Sequence, residues 1–246
     1  MLYYAHQVNI TIYLDTGSGK HRRLINISEK ACSLGPQYTS SLIGLYCYTG
    51  EDCNSAFKGK GKIGPLKKLE KNPRFQKVFA ELGSRWDVEP SLLTDLEAFT
   101  CIMYGHTRVT DVDEVRALMM KKLVGEDMNL NAKSKVDLAR LPPCKNSLYP
   151  HIRRANYRVA QLKRSHIPIF DVPEATRHGW LEGDDGHLEP LWSDGPVLPQ
   201  SLVDVLVTSD EEEDNEGEEE DEENGVNDFE DMLTYLDCDS DDDDDD

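Results

Sequence analysis

Glu51 and Asp52 follow Gly50, and Lys58, Lys60, Lys62, Lys67, Lys68 and Lys71 surround a loop built from Gly59, Gly61 and Gly64. A glycine loop that opens a helix lets backbone N–H groups approach a phosphate, and the helix N-terminus adds partial positive charge. Interleaved lysines draw the same anion from further away. The stretch reads as a clamp for a nucleic-acid backbone with a carboxylate pair beside it. It equally fits a basic surface loop capping an ordinary helix, because short motifs recur by chance.

A second basic constellation lies at Arg153, Arg154, Arg158, Lys163 and Arg164, with no acidic residue between 151 and 170. On a helix these cations would follow a phosphate backbone, with Tyr157 stacking on a base. The alternative is a solvated face with Ile152, Tyr157, Val159 and Ala160 packed inward. Two other groupings carry less. Asp15-Thr16-Gly17 spells an aspartic-protease triplet but reads as a turn. His178, His187, Asp184 and Asp185 match no metal spacing and read as loop surface.

The charge is unevenly spread. The formal net charge is −20, yet residues 204–246 hold 24 acidic and no basic side chains, while residues 1–170 hold 26 basic and 16 acidic ones. A basic body with an acidic tail points to nucleic acid, to basic protein partners, or to a tail that competes for the body's own basic face. The tail from 208 on has the composition of a disordered segment. Within it Phe229, Met232, Leu233 and Leu236 recur at helical spacing and suit a partner's groove. The six cysteines form no Cys-x-x-Cys and no zinc framework, which favours a reducing, intracellular setting with the nucleus as one compartment. No apolar run approaches the ~20 residues of a membrane span.

These residues need elements to position them. Alternation over Val8–Leu14 predicts a strand, and Arg23–Ile27 predicts its hairpin partner. Ser28 is placed to cap a helix through Ser33. Gly35-Pro36 opens a buried helix to Tyr48. Pro65 opens a helix to Lys71, and Asn72-Pro73 opens one carrying Phe75, Val78, Phe79 and Leu82 at core spacing. Glu89-Pro90 opens another, and Thr110 or Asp111 caps Val112–Val124, with Val115, Leu118, Met119 and Leu123 as its core stripe. Ser147 is placed to cap the basic helix to Arg164. Trp180 and Trp192 are expected to tuck a Pro- and Gly-rich segment against the helices. The class is mainly α with a small N-terminal β-hairpin or partial sheet.

Thr49-Gly-Glu-Asp-Cys-Asn-Ser-Ala-Phe-Lys-Gly-Lys-Gly-Lys62 resembles the T-G-C-D-x-x-S-x-F-x-G-K-G-K motif of a group of animal proteins of mobile-element type. Leu34-Gly35-Pro36, Leu141-Pro-Pro-Cys144, Arg154-Ala-Asn-Tyr157 and His178-Gly-Trp180 fit the same group in the same order. The stretch is also similar to the G-x-D…G-x-G segment of flap-endonuclease-like (PIN-like) nucleases. That resemblance implies a truncated α/β PIN-like domain. Its core remnant would be 1–48, with a helix-hairpin-helix-type and helical region at 49–165, a packed segment at 166–207 and a disordered acidic tail at 208–246. It implies Asp52, with Glu51 in place of the usual Cys, as ligand to Mg²⁺, and Gly59–Gly64 as the DNA-gripping hairpin.

Two-metal hydrolysis needs several clustered carboxylates, and residues 1–48 offer only Asp15 and Glu29. The expectation is therefore non-specific backbone binding, DNA before RNA, with catalysis absent unless the missing carboxylates come from elsewhere. The competing expectation is an interaction protein that works through its acidic tail.

Overall fold

The computed structural model describes residues 1–124 and 138–197. The acidic tail, with Phe229, Met232, Leu233 and Leu236, lies outside these residues.

Eight helices and two antiparallel hairpins follow one another along the described chain. Helix α1 (Leu2–Ala5) precedes the hairpin of β1 (Tyr13–Thr16) and β2 (Arg23–Asn26), whose register pairs Leu14 with Ile25 and Asp15 with Leu24. Then come α2 (Ile27–Leu34), α3 (Pro36–Tyr48), α4 (Ile63–Glu70), α5 (Pro73–Glu81), α6 (Pro90–Met103), α7 (Val112–Val124) and α8 (Lys145–Lys163). A second hairpin, β3 (Trp180–Glu182) with β4 (Leu188–Pro190), closes the described chain. The fold is mainly helical with a small N-terminal hairpin, as the sequence implies.

Helix α3 is the inner pillar. Tyr38, Leu42, Leu45, Cys47 and Tyr48 are buried along it. It meets α5 so closely that a Cβ on Gly44 would stand 2.4 Å from the Phe79 carbonyl oxygen. Helix α8 crosses behind, with Leu148, Ile152, Ala155 and Val159 in the same core as Leu2, Tyr38 and Phe79. One apolar core therefore runs through both of the regions expected to divide at 48/49. Burial of this order, at about 25 cal/mol per Å² of apolar surface, is what holds the helices together.

Local details differ from expectation for local reasons. The first strand starts at Tyr13 rather than Val8, because Ile12 N–H bonds to the Ser28 hydroxyl at 2.9 Å instead of to a strand. Ser28 is thereby occupied, and Asn26 caps α2 by accepting from Glu29 N–H at 3.1 Å. Helix α8 begins at Lys145 after Cys144, one turn nearer Pro143 than a Ser147 cap would allow. Asp111 does cap α7, accepting from the N–H groups of Asp113 (2.9 Å) and Glu114 (3.1 Å). On α7 Val115 is buried but Leu118 is exposed, so the core stripe is narrower than its spacing suggests. No helix of the described residues is long and apolar enough to cross a membrane.

Candidate nucleic-acid interface

Residues 49–62 form an excursion between α3 and α4. Thr49 ends α3 by donating its hydroxyl to the Leu45 carbonyl at 2.8 Å. Gly50 then adopts φ +112°, and a Cβ there would meet Ala56 at 2.7 Å. Glu51 and Asn54 face each other across a two-residue bridge, exchanging N–H···O bonds of 3.0 and 2.9 Å. Asn54 donates its side-chain amide to the Cys47 carbonyl at 3.0 Å, pinning the turn to the end of α3. Phe57 buries its ring against Tyr48 (5.3 Å between centroids) and His151 (4.9 Å). The backbone then reverses through Lys60 N–H to Phe57 carbonyl, 3.0 Å, with Gly59 and Gly61 at positive φ.

The expected phosphate loop splits into two populations. Lys58, Gly59, Gly61, Gly64 and Lys67 are exposed, and Lys60 and Lys68 are half-buried. Nothing lies within 4 Å of where a Cβ would stand on Gly59, Gly61 or Gly64, so the backbone there is open to solvent. The Lys60 ammonium sits 4.3 Å from the Tyr104 ring centroid, and burial followed by repulsion from Lys68 lowers its pKa. Lys62 is different. It is buried, and its ammonium donates to the Tyr46 carbonyl at 3.2 Å and to the Gly50 carbonyl. It closes the C-terminal end of α3, where unpaired carbonyls need donors, and is a structural residue rather than a surface cation.

The basic helix is likewise committed inward. Arg154 is 3% exposed and donates to the carbonyls of Gly179 (3.0 Å) and Leu191 (2.6 Å), which ties the second hairpin to α8. Arg153 pairs with Asp194 at 2.8 Å. Lys163 donates to Ala80 and Leu82 carbonyls at 2.6 and 2.7 Å, and Arg164 to Gly83 at 3.1 Å and Ser84 at 3.0 Å. Arg158 lies 3.6 Å from the Glu51 carboxylate. Tyr157 donates its hydroxyl to the Pro173 carbonyl at 2.9 Å and stacks on His178. These side chains assemble the fold. They do not make a continuous cationic face, because carbonyls and the carboxylates of Asp194 and Glu51 take up their donors and charge.

The same turn carries the two carboxylates. Asp52 is exposed, while the Glu51 side chain is only 5% exposed and its Oε1 has no hydrogen-bond partner. Among the described residues no three His, Cys, Asp or Glu side chains converge as a metal site. Asp52 and the Arg158-facing Glu51 thus do not fit a two-metal centre, which needs more acidic oxygen than they supply.

Glu51, Asp52 and Ser55 on one side, and Arg154, Trp180 and Trp192 on the other, line a cleft of about 350 Å³. Trp192 is 64% exposed, contrary to the expected tuck, while Trp180 is half-buried. The Arg154 guanidinium lies 6.0 Å from the Trp180 ring centroid and 5.6 Å from that of Trp192. Sequence reading passed over this cleft because its halves are far apart in the chain. The one signal was two tryptophans in a Pro- and Gly-rich stretch.

Ser55 also meets His151, Oγ to Nδ1 at 3.2 Å, while His151 Nε2 lies 2.8 Å from the Tyr48 carbonyl. The carbonyl can only accept, so Nε2 carries the proton and Nδ1 accepts from Ser55. The order hydroxyl, imidazole, orienting acceptor is that of a nucleophilic relay. Burial, however, pushes the His151 pKa down to about 4. An imidazole that weak is a poor base near neutral pH, and the arrangement serves to seat the 49–57 turn.

Comparison with protein-family models, with curated proteins and with solved structures returns no match.

Proposed function

We propose that this chain binds the nucleic-acid backbone without sequence preference, DNA before RNA, through the loop and first turn from Lys58 to Lys68. The observation that carries this reading is the open backbone at Gly59, Gly61 and Gly64, immediately before and within the first turn of α4, with Lys58 and Lys67 exposed around it. A phosphate can reach main-chain N–H groups there without meeting a side chain. Phe57 and Lys62 hold the loop from beneath. The resemblance to the hairpin of flap-endonuclease-like proteins supports the same reading. Glu51 facing Arg158 favours binding without hydrolysis.

The contact is electrostatic and salt-sensitive. Four lysines, 58, 60, 67 and 68, engaging four phosphates give a log–log salt slope of roughly −4 on B-DNA. Titrating a fluorescent duplex with the protein at several salt concentrations tests this. A flat salt dependence would sink the reading. The 24 acidic side chains of residues 204–246 support a second element, a tail that competes with DNA for the same lysines. Deleting 208–246 then strengthens binding. Binding absent from both forms refutes the interface itself.

A further inference from the structure

We propose that the cleft between the Glu51–Ser55 turn and the second hairpin holds one unstacked nucleobase of a single strand, stacked on Trp192 and read by the Asp52 carboxylate. This rests on the backbone-binding reading: the loop contact stays indifferent to sequence, and the cleft adds a base preference at one position of a single strand.

What singles out Trp192 is its place, a large aromatic face open to solvent at the wall of a cleft that also holds two carboxylates. Trp192 shows 64% of its surface, yet it is not loose. Its neighbour Leu191 accepts from Arg154 at 2.6 Å, and its own ring lies 5.6 Å from the same guanidinium. A solvent-facing indole held in one place by a buried cation is preorganised for stacking. The cleft of about 350 Å³ falls within the range of small-ligand sites, about 300–1,000 Å³.

The charges select the ligand. The lining carries Glu51, Asp52 and Arg154, and Arg158, outside the lining, lies 3.6 Å from the Glu51 carboxylate, so two carboxylates are matched by two guanidinium groups and little charge is left over to favour a cationic side chain. A neutral, planar group with N–H donors suits it better. The exocyclic amino groups of cytosine, adenine and guanine donate to carboxylates, whereas thymine offers no amino group. Unstacked bases are held by aromatic faces in this manner, with stacking that tolerates any base. The backbone route also fits. Ser55 in the cleft wall is three residues from Lys58, at most about 11 Å of chain. A strand gripped at the glycine loop can therefore place a base in the cleft.

The test uses the full chain and three decamers of equal charge: oligo-dC, oligo-dT and an abasic strand, followed by anisotropy. The expected order is dC tightest, then dT, then abasic. Trp192→Ala should weaken dC binding about ten-fold and leave abasic binding unchanged. Asp52→Ala should erase the dC-over-dT preference. Both positions are exposed, and Asp52→Ala tests the cleft independently if Trp192→Ala folds poorly. Equal binding of dC and abasic strands overturns the base pocket while leaving the backbone interface standing. No binding of any strand overturns both. Displacement of oligo-dC from the wild type by an arginine-rich peptide, lost in Trp192→Ala, would assign the cleft to a cationic side chain and overturn the proposal.

Discussion

Lys62 reaches back to Tyr46, its ammonium 3.2 Å from the main-chain carbonyl oxygen and 4.2 Å from the centre of the ring. With the Gly50 carbonyl as a further acceptor, this lysine locks the glycine loop to the end of α3. Two lysines of one short motif therefore do opposite work. Lys58 faces solvent and Lys62 faces protein.

That division is measurable. Lys62→Met leaves buried carbonyls without their donor and should cost about 1–3 kcal/mol of stability by urea unfolding. Lys58→Ala and Lys67→Ala should leave stability within about 0.5 kcal/mol. Each should flatten the DNA-binding salt slope by roughly one. A stable Lys62→Met with lost DNA binding would reverse the assignment.

The His151 imidazole gives a pH signature. Its folded-state pKa is depressed from 6.5 to about 4, chiefly by burial. The unfolded chain takes up the proton first as pH falls, so stability present above pH 6.5 is lost progressively towards pH 4, by about 3 kcal/mol in total. His178 is shifted in the same direction, again mainly by burial, and adds with the same sign. Urea midpoints between pH 7.5 and 4.5 check this, and His151→Gln should flatten most of the slope.

Glycine positions separate packing from binding. A Cβ on Gly44 meets the Phe79 carbonyl at 2.4 Å, and one on Gly83, at φ +76°, meets Val159 at 2.6 Å. Gly44→Ala and Gly83→Ala should each destabilise by at least about 1–3 kcal/mol, since α3 must back away from α5 in the first, and in the second the turn after α5 must back away from α8 with its positive φ strained as well. Gly59→Ala has open space and should cost only the strain of its positive φ, about 1–2 kcal/mol. It should still weaken DNA binding by placing a methyl group where the phosphate approaches. Thermal melts beside binding curves distinguish the three.

Thiol labelling maps the cleft. Burial is the main cause that pushes the Cys47 and Cys101 thiols up to about 12, whereas Cys32 and Cys53 are exposed. Maleimide should modify Cys32 and Cys53 in the native protein and spare Cys47 and Cys101, read by peptide mass mapping. Cys53 lies on the cleft wall, so oligo-dC should slow its labelling without affecting Cys32.

Much of the fold was legible because its boundaries are chemical. Gly35-Pro36 and Asp111 fix the starts of α3 and α7 from local sequence alone, and both helices run to the residues that the apolar pattern indicates. The strand at Val8 was misread because alternation reports faces and not partners. Ile12 bonds to a hydroxyl sixteen residues away. The site was half legible for the same reason. Glycines and lysines announce a loop, but the partners of Lys62 and Arg154 are carbonyls elsewhere in the chain, and carbonyls have no residue signature. The second hairpin went unseen because its strands are three residues each, too short for any period to show.

His151, Arg154 and Arg158 fall on one stripe of α8, at i, i+3 and i+7, and through Ser55, the second hairpin and Glu51 respectively each holds or faces a different part of the cleft. The walls themselves are separated by about 125 residues between Ser55 and Trp180. Closing so long a span has an entropic cost that is recovered only once α8 has docked. The cleft is therefore a product of tertiary topology, and Trp192 reports on the assembled fold rather than on local structure. Chains released before the second hairpin has emerged would display the lysine loop without the indole. Nascent or proteolysed forms would then hold backbone but not distinguish one base from another.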